Sequence, residues 1–166
     1  SVLRQFEPNA VTDVTGFGLF GHAYEVAERS GVRIRLESER FPAIDGALDL
    51  ARNEVRTSGD PRNREFAGPH VELNGAPETL VALGFDPQTA GGLLMSVPSG
   101  RAPVLEAEFQ AKRLFIRRVG QVEEGAGVVP VRIERRGERV FCELTAPEPL
   151  SLGPVVPPQL VVRAVS

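Results

Sequence analysis

An aspartate stands three residues ahead of a set of spaced glycines in Thr12-Asp13-Val14-Thr15-Gly16-Phe17-Gly18-Leu19-Phe20-Gly21-His22. A carboxylate just before a helix N-terminus, followed by glycines that permit close backbone approach, suits a magnesium ion whose other ligands are waters and phosphate oxygens. Asp13 or the Thr15 hydroxyl suits equally well a simple cap on a helix beginning near Gly18. The segment alone leaves both readings open. Gly16, Gly18 and Gly21 also match the dinucleotide fingerprint G-x-G-x-x-G, with Glu37 about 20 residues further on. The strand before such a fingerprint is normally a continuous apolar run. Here it reads Ala10-Val11-Thr12-Asp13-Val14-Thr15, so a nicotinamide site is only a minor alternative.

His22 falls in the first turns of the same helix, where packing or support of a neighbour outweighs direct contact with a phosphate. A second glycine loop, Asp86-Pro87-Gln88-Thr89-Ala90-Gly91-Gly92, fits either a tight turn or the wall of a site. Lys112, the one lysine, lies beside Arg113 at a helix end and reads as a solvated cap. Cys142, the one cysteine, alternates with apolar residues in 140–144 and reads as a buried strand thiol. It allows no internal disulfide and suits a reducing cytoplasm.

The elements that must position these groups follow from periodicity and turn chemistry. Leu19, Ala23, Val26 and Ala27 recur at helical spacing up to Gly31, a natural helix stop. Val32-Arg33-Ile34-Arg35-Leu36 alternates as a strand with one buried face. Ile44, Ala47, Leu48 and Ala51 predict a second helix after Pro42, whereas 57–70 is polar and rich in Gly, Pro and Arg, predicting a long loop. Pro77 opens a helix through Leu80, Val81 and Leu83; the loop from Asp86 then leads into an apolar strand at 93–97. Ser99 is placed to cap a helix bearing Leu105 and Phe109, and 114–122, 128–133 and 140–144 read as strands, the last two joined by a turn at Arg136-Gly137. The fold class expected is α/β of the α+β type, with a mixed sheet of about four or more strands and helices packed on one face. The boundaries are a domain over 1–145 and a proline-rich arm over 146–166, with no regular element expected before Gln159-Leu160-Val161-Val162.

Composition narrows the function classes. With 166 residues and 42% hydrophobic content the chain can fill a single core. No apolar run approaches the roughly 20 residues of a membrane span, and no signal-peptide pattern opens the chain, so neither membrane attachment nor export is expected. A net charge of −3 with interspersed signs lacks the clustered basic face of a nucleic-acid binder. The charges of 132–139 alternate and read as a solvated hairpin face.

Taken together and in order, the segments 12–22 and Asp86-Pro87-Gln88-Thr89-Ala90-Gly91-Gly92-Leu93-Leu94 resemble signature stretches of the selenophosphate synthetases. Phe41-Pro42-Ala43-Ile44-Asp45-Gly46-Ala47-Leu48 and Ser58-Gly59-Asp60-Pro61-Arg62-Asn63 are similar to two further stretches, so the resemblance spans roughly residues 9–121. It implies the C-terminal domain of a two-domain enzyme of the aminoimidazole ribonucleotide synthetase superfamily, using ATP and magnesium to convert selenide and water to selenophosphate, AMP and phosphate. It implies Asp13 as a magnesium ligand, and Thr12, Thr15, Gly16, Gly18 and Asn63 as parts of the nucleotide site, with no catalytic residue in this half. The catalytic domain lies N-terminal to it in the family, and the whole enzyme is expected to be a cytoplasmic homodimer. Ala90, where the family usually has Ser, and Ser58-Gly59-Asp60, where it has Gly-Gly-Thr, depart from the pattern and place Asp60's charge near the nucleotide. A stand-alone interaction or regulatory domain of the same fold is the alternative.

Overall fold

A computed structural model describes residues 5–125, 131–134 and 159–163. Among them seven strands form one mixed sheet: β1 (Ala10–Asp13), β2 (Val32–Glu37), β3 (Val71–Glu72), β4 (Leu93–Val97), β5 (Arg117–Glu124), β6 (Val131–Glu134) and β7 (Gln159–Arg163), in the spatial order β1-β4-β7-β5-β2-β6-β3. The pairs from β1 to β2 are antiparallel, and β6 runs parallel to both β2 and β3. The helices are α1 (Gly18–Ser30), α2 (Ala47–Arg52), α3 (Asp60–Ala67), α4 (Glu78–Phe85) and α5 (Ala102–Ala111).

Alternation along β4 sorts the core into two layers. Leu94 faces a cluster with Phe20, Ala23 and Ala27 of α1, Val81 and Phe85 of α4, Ile34 and Leu36 of β2, and Val119 of β5. Most of the helices pack on this face, with Ala67 of α3 joining the cluster. Met95 and Val97 point the opposite way, where α5 lays down Ala102, Leu105 and Phe109. Phe20 is fully buried and meets Phe85 edge-on, with ring centroids 4.9 Å apart and planes at 90°. Burying a side chain of this size contributes about 1.5–3 kcal/mol before the aromatic geometry adds to it.

α1 ends where its sequence said it must, for Gly31 takes φ +61° and its N–H closes onto the carbonyls of Ala27 and Glu28. β2 buries Ile34 and Leu36 as its alternation required, but Arg33 on the other face is buried too, its stem lying against Gly125. β2 runs between β5 and β6 in the interior of the sheet, and a long side chain there packs its methylenes. Ser99 does not cap α5; a single 3-10 turn, Ser99–Arg101, leads into it. Lys112 at the far end of α5 pairs with Glu108 at 3.0 Å.

Two segments depart from expectation. The loop expected over 57–70 contains α3 and a 3-10 turn. Pro61 sits in the first turn of α3, where a missing N–H costs nothing, and Asp60 reaches Arg64 one turn on at 2.8 Å. Within the arm expected over 146–166, Gln159–Arg163 is β7, bonded to β4 on one edge and β5 on the other. It joins the middle of the sheet. Cys142, the 140–144 strand and the Arg136-Gly137 turn lie outside the described residues.

Candidate functional site

β1 ends at Asp13, and the chain then makes a tight loop into α1. The N–H of Gly18 donates to the Thr15 carbonyl at 2.9 Å, closing the turn. The second glycine loop runs alongside and is stitched to it by main-chain bonds: Gln88 N–H to the Thr15 carbonyl (3.0 Å), Gly91 N–H to the Val14 carbonyl (3.2 Å) and Val14 N–H to the Gly92 carbonyl (2.9 Å). The two motifs singled out in the sequence, about 70 residues apart, therefore form one double loop at the end of the β1–β4 pair. The 86–92 loop is both a tight turn and one wall of the resulting surface.

α3 locks the double loop from beneath. The Asn63 side chain, 0% exposed, donates from Nδ2 to the Gly16 carbonyl and to the Phe85 carbonyl, both at 2.8 Å. Thr57 Oγ1 donates to Asp86 Oδ1 at 3.0 Å, and Gln88 Nε2 donates to Asp86 Oδ2 at 3.0 Å. Asp60 is buried against Arg64, so its charge is paired inside α3 instead of standing open beside the loops. Asn63, expected at the nucleotide, is thus a brace that fixes Gly16 from behind. Replacing Asn63 by Ala leaves two carbonyls without their donor, and the expected loss is about 1–3 kcal/mol in a chemical denaturation series, with faster amide exchange across α3.

Gly18 holds the N-terminus of α1 against the end of α4. Its φ is +69°, and a Cβ placed there would lie 2.8 Å from the Gly84 carbonyl oxygen and 2.9 Å from that of Asp86. This contact explains the glycine by packing. The dinucleotide alternative loses its basis in the same region, since β1 is an antiparallel edge strand and not the central parallel strand that fingerprint requires.

What remains open to solvent is Asp13, Gly16 and Phe17, with Thr12 and Thr15 half-buried. The Asp13 carboxylate makes no hydrogen bond or ion pair among the described residues. Phe17, 40% exposed, rests its ring on Phe66 at 5.0 Å between centroids and near His22 at 5.7 Å. His22 is 7% exposed, with Nε2 3.1 Å from Thr15 Oγ1 and Nδ1 3.2 Å from Glu25 Oε2. The supporting role read for His22 is therefore what it has. Glu25 was missed, although its position three residues after His22 on a helix is a legible signal. Thr57 and Phe66 had no such signal, since they reach the site only through the placement of α3.

Among the described residues no three His, Cys, Asp or Glu side chains gather as a metal cage. An all-protein site is not what the donors resemble. One free carboxylate beside an exposed glycine backbone fits a hard cation that keeps waters and takes its other ligands from phosphates.

The family described as AIR synthase related protein, C-terminal domain, matches residues 2–132. A selenide, water dikinase of Caldanaerobacter subterraneus subsp. tengcongensis is 40% identical over 124 residues, covering 74% of this chain and 36% of that protein. One from Trichlorobacter lovleyi is 38% identical over 122 residues, 73% of this chain and 35% of its own length. One from Clostridioides difficile reaches 44% identity over 95 residues, 57% of this chain and 27% of its own. The chain thus spans about a third of the length of the curated relatives it matches. With a match over most of its length, and with the segments that carry the resemblance folded into one double loop, the chain belongs to the AIR synthase related C-terminal domain family, where its kinship is with the selenide, water dikinases.

Proposed function

We propose that this domain is the ATP-side half of a selenophosphate synthetase, in which ATP, selenide and water give selenophosphate, AMP and phosphate. The observation that carries the reading is the Asp13 carboxylate, without a hydrogen bond or ion pair among the described residues, on the rim of a double glycine loop whose own backbone is braced by main-chain and side-chain bonds. Asp13 is the residue that would hold magnesium, and the exposed backbone at Gly16, with Thr12, would face the nucleotide, while Thr15 stands beside the cation. Magnesium held there would supply charge neutralisation to transferring phosphoryl groups. The double loop fixes where that charge sits: main-chain bonds hold Val14 and Thr15 to the 86–92 loop, and the Asn63 side chain holds the Gly16 carbonyl.

On this reading the nucleophile and the cationic phosphate clamp come from elsewhere in the whole protein. Lys112 is engaged with Glu108, and Arg64 with Asp60 and Glu78. Those groups therefore belong, on this reading, to an N-terminal domain of the whole protein, joined to this one and assembled as a cytoplasmic homodimer. No helix among the described residues is long and apolar enough to cross a membrane.

Incubated with ATP, magnesium and selenide, the isolated chain is expected to form no AMP above background, while the whole protein turns over. AMP formation by the purified chain alone, at a rate comparable with the whole protein, would show that the site is complete here and sink the half-site reading.

A further inference from the structure

We infer that Glu25 and His22 are positioning residues for Thr15, and that they hold its hydroxyl as a hydrogen-bond acceptor facing a hydrated cation, not as a donor facing a phosphate. The inference rests on the reading that a cation binds beside Asp13. α1 places His22 and Glu25 one turn apart on the side of the helix that faces the loop. His22 Nε2 lies 3.1 Å from Thr15 Oγ1. On the other side of the ring, Nδ1 lies 3.2 Å from Glu25 Oε2, without the alignment of a straight hydrogen bond. The imidazole is 7% exposed and lies beside the Phe17 ring, so it has little freedom to turn away from either neighbour.

A neutral imidazole carries a proton on one nitrogen and a lone pair on the other. A lone pair held 3.2 Å from a carboxylate oxygen is repelled, whereas an N–H there is attracted even off its axis. Glu25 therefore places the proton on Nδ1 and leaves the lone pair on Nε2. The Thr15 hydroxyl must then donate its only hydrogen to Nε2, and its remaining capacity is two lone pairs. A phosphate oxygen is itself only an acceptor and finds no donor there. A water on a divalent cation is polarised into a stronger donor and does find a partner. Thr15 stands two residues after Asp13 on the same loop, so one short segment would offer a hard cation a carboxylate for direct contact and a hydroxyl for its water shell.

Two measurements test this. In the chain carrying His70→Asn, nitrogen-15 spectra of His22 should show a proton on Nδ1 and none on Nε2. Finding the proton on Nε2 overturns the inference, because Thr15 would then be free to donate. In the whole protein, Thr15→Val should raise the magnesium concentration for half-maximal turnover by about three- to tenfold, the effect of one lost hydrogen bond, with the KM for ATP unchanged. Thr15→Ser should restore the original value, which separates the hydroxyl from the packing of its methyl group. A raised KM for ATP with an unaltered magnesium requirement overturns the assignment in favour of a phosphate contact. If Asp13→Asn leaves magnesium dependence untouched, the cation reading fails and the facing of Thr15 toward it fails too; the tautomer of His22 is settled separately by its spectrum.

Discussion

Asp13→Asn in the whole protein is expected to lower magnesium-dependent turnover by about 100-fold or more, since loss of even an outer partner of a metal typically costs 10–100-fold. The stability of the domain should hardly change. Asn keeps the size of the side chain and is as good a residue as Asp at the entrance to a helix. The wild-type carboxylate, moreover, makes no hydrogen bond or ion pair among the described residues that the amide would break. α1 has no side-chain cap at all, so the capping role open to Asp13 in the sequence is not the one it has in the fold. The expected signature is therefore a split: an unchanged melting curve, a steep fall in turnover and a raised magnesium requirement. Thermal denaturation and a magnesium titration of the same variant read both halves. Turnover within a few-fold of wild type at ordinary magnesium would end the assignment of Asp13 to a metal.

Gly18→Ala is expected to have the largest effect on stability of the substitutions considered, about 2–4 kcal/mol, which for a domain of this size lowers the melting temperature by roughly 5–15 °C. Two costs add. A left-handed φ of +69° is disfavoured for any residue with a Cβ, and the new methyl group would press on the carbonyl oxygens of Gly84 and Asp86 at 2.8 and 2.9 Å. Those contacts are with main chain, which cannot swing aside as a flexible side-chain tip could. Relief would have to come by prising the start of α1 away from the end of α4, and the Phe20 and Phe85 rings are seated in that contact. Calorimetry on the isolated chain is sufficient to measure it. If Gly18→Ala melted within a degree or two of wild type, the close approach would be shown to relax easily, and the glycine to have some reason other than packing.

The parts of this protein that were legible in its sequence are those whose energetics are local. Leu19, Ala23 and Ala27 make one face of α1 apolar, Gly31 ends it, and Ile34 and Leu36 alternate into the core, so each of these elements is specified within a few residues. Asp13 with the glycines that follow it and the 86–92 loop stood out for the same reason, being short runs whose residue types suit tight turns and close approach. The resemblance to a family added an expectation of what those runs do. It did not say which of them touches a ligand.

The packing of the site was decided by tertiary structure. α3 is polar along most of its length and has no periodicity to announce it; it is held because Asn63 satisfies carbonyls 47 and 22 residues away. The same bonds turn Asn63 from a candidate ligand into a brace. β7 enters the centre of the sheet because β4 and β5 leave a ladder open there, although its own segment is preceded by prolines that discourage regular structure locally. His22 acquires its meaning from Thr15 on one side and Glu25 on the other, and only the folding of the loop onto α1 brings the first of these into range. Local periodicity reports how a segment hides its own apolar face, and a hydrogen bond closed across 47 residues leaves no trace in it, because its donor and acceptor are chosen by the packing of other elements.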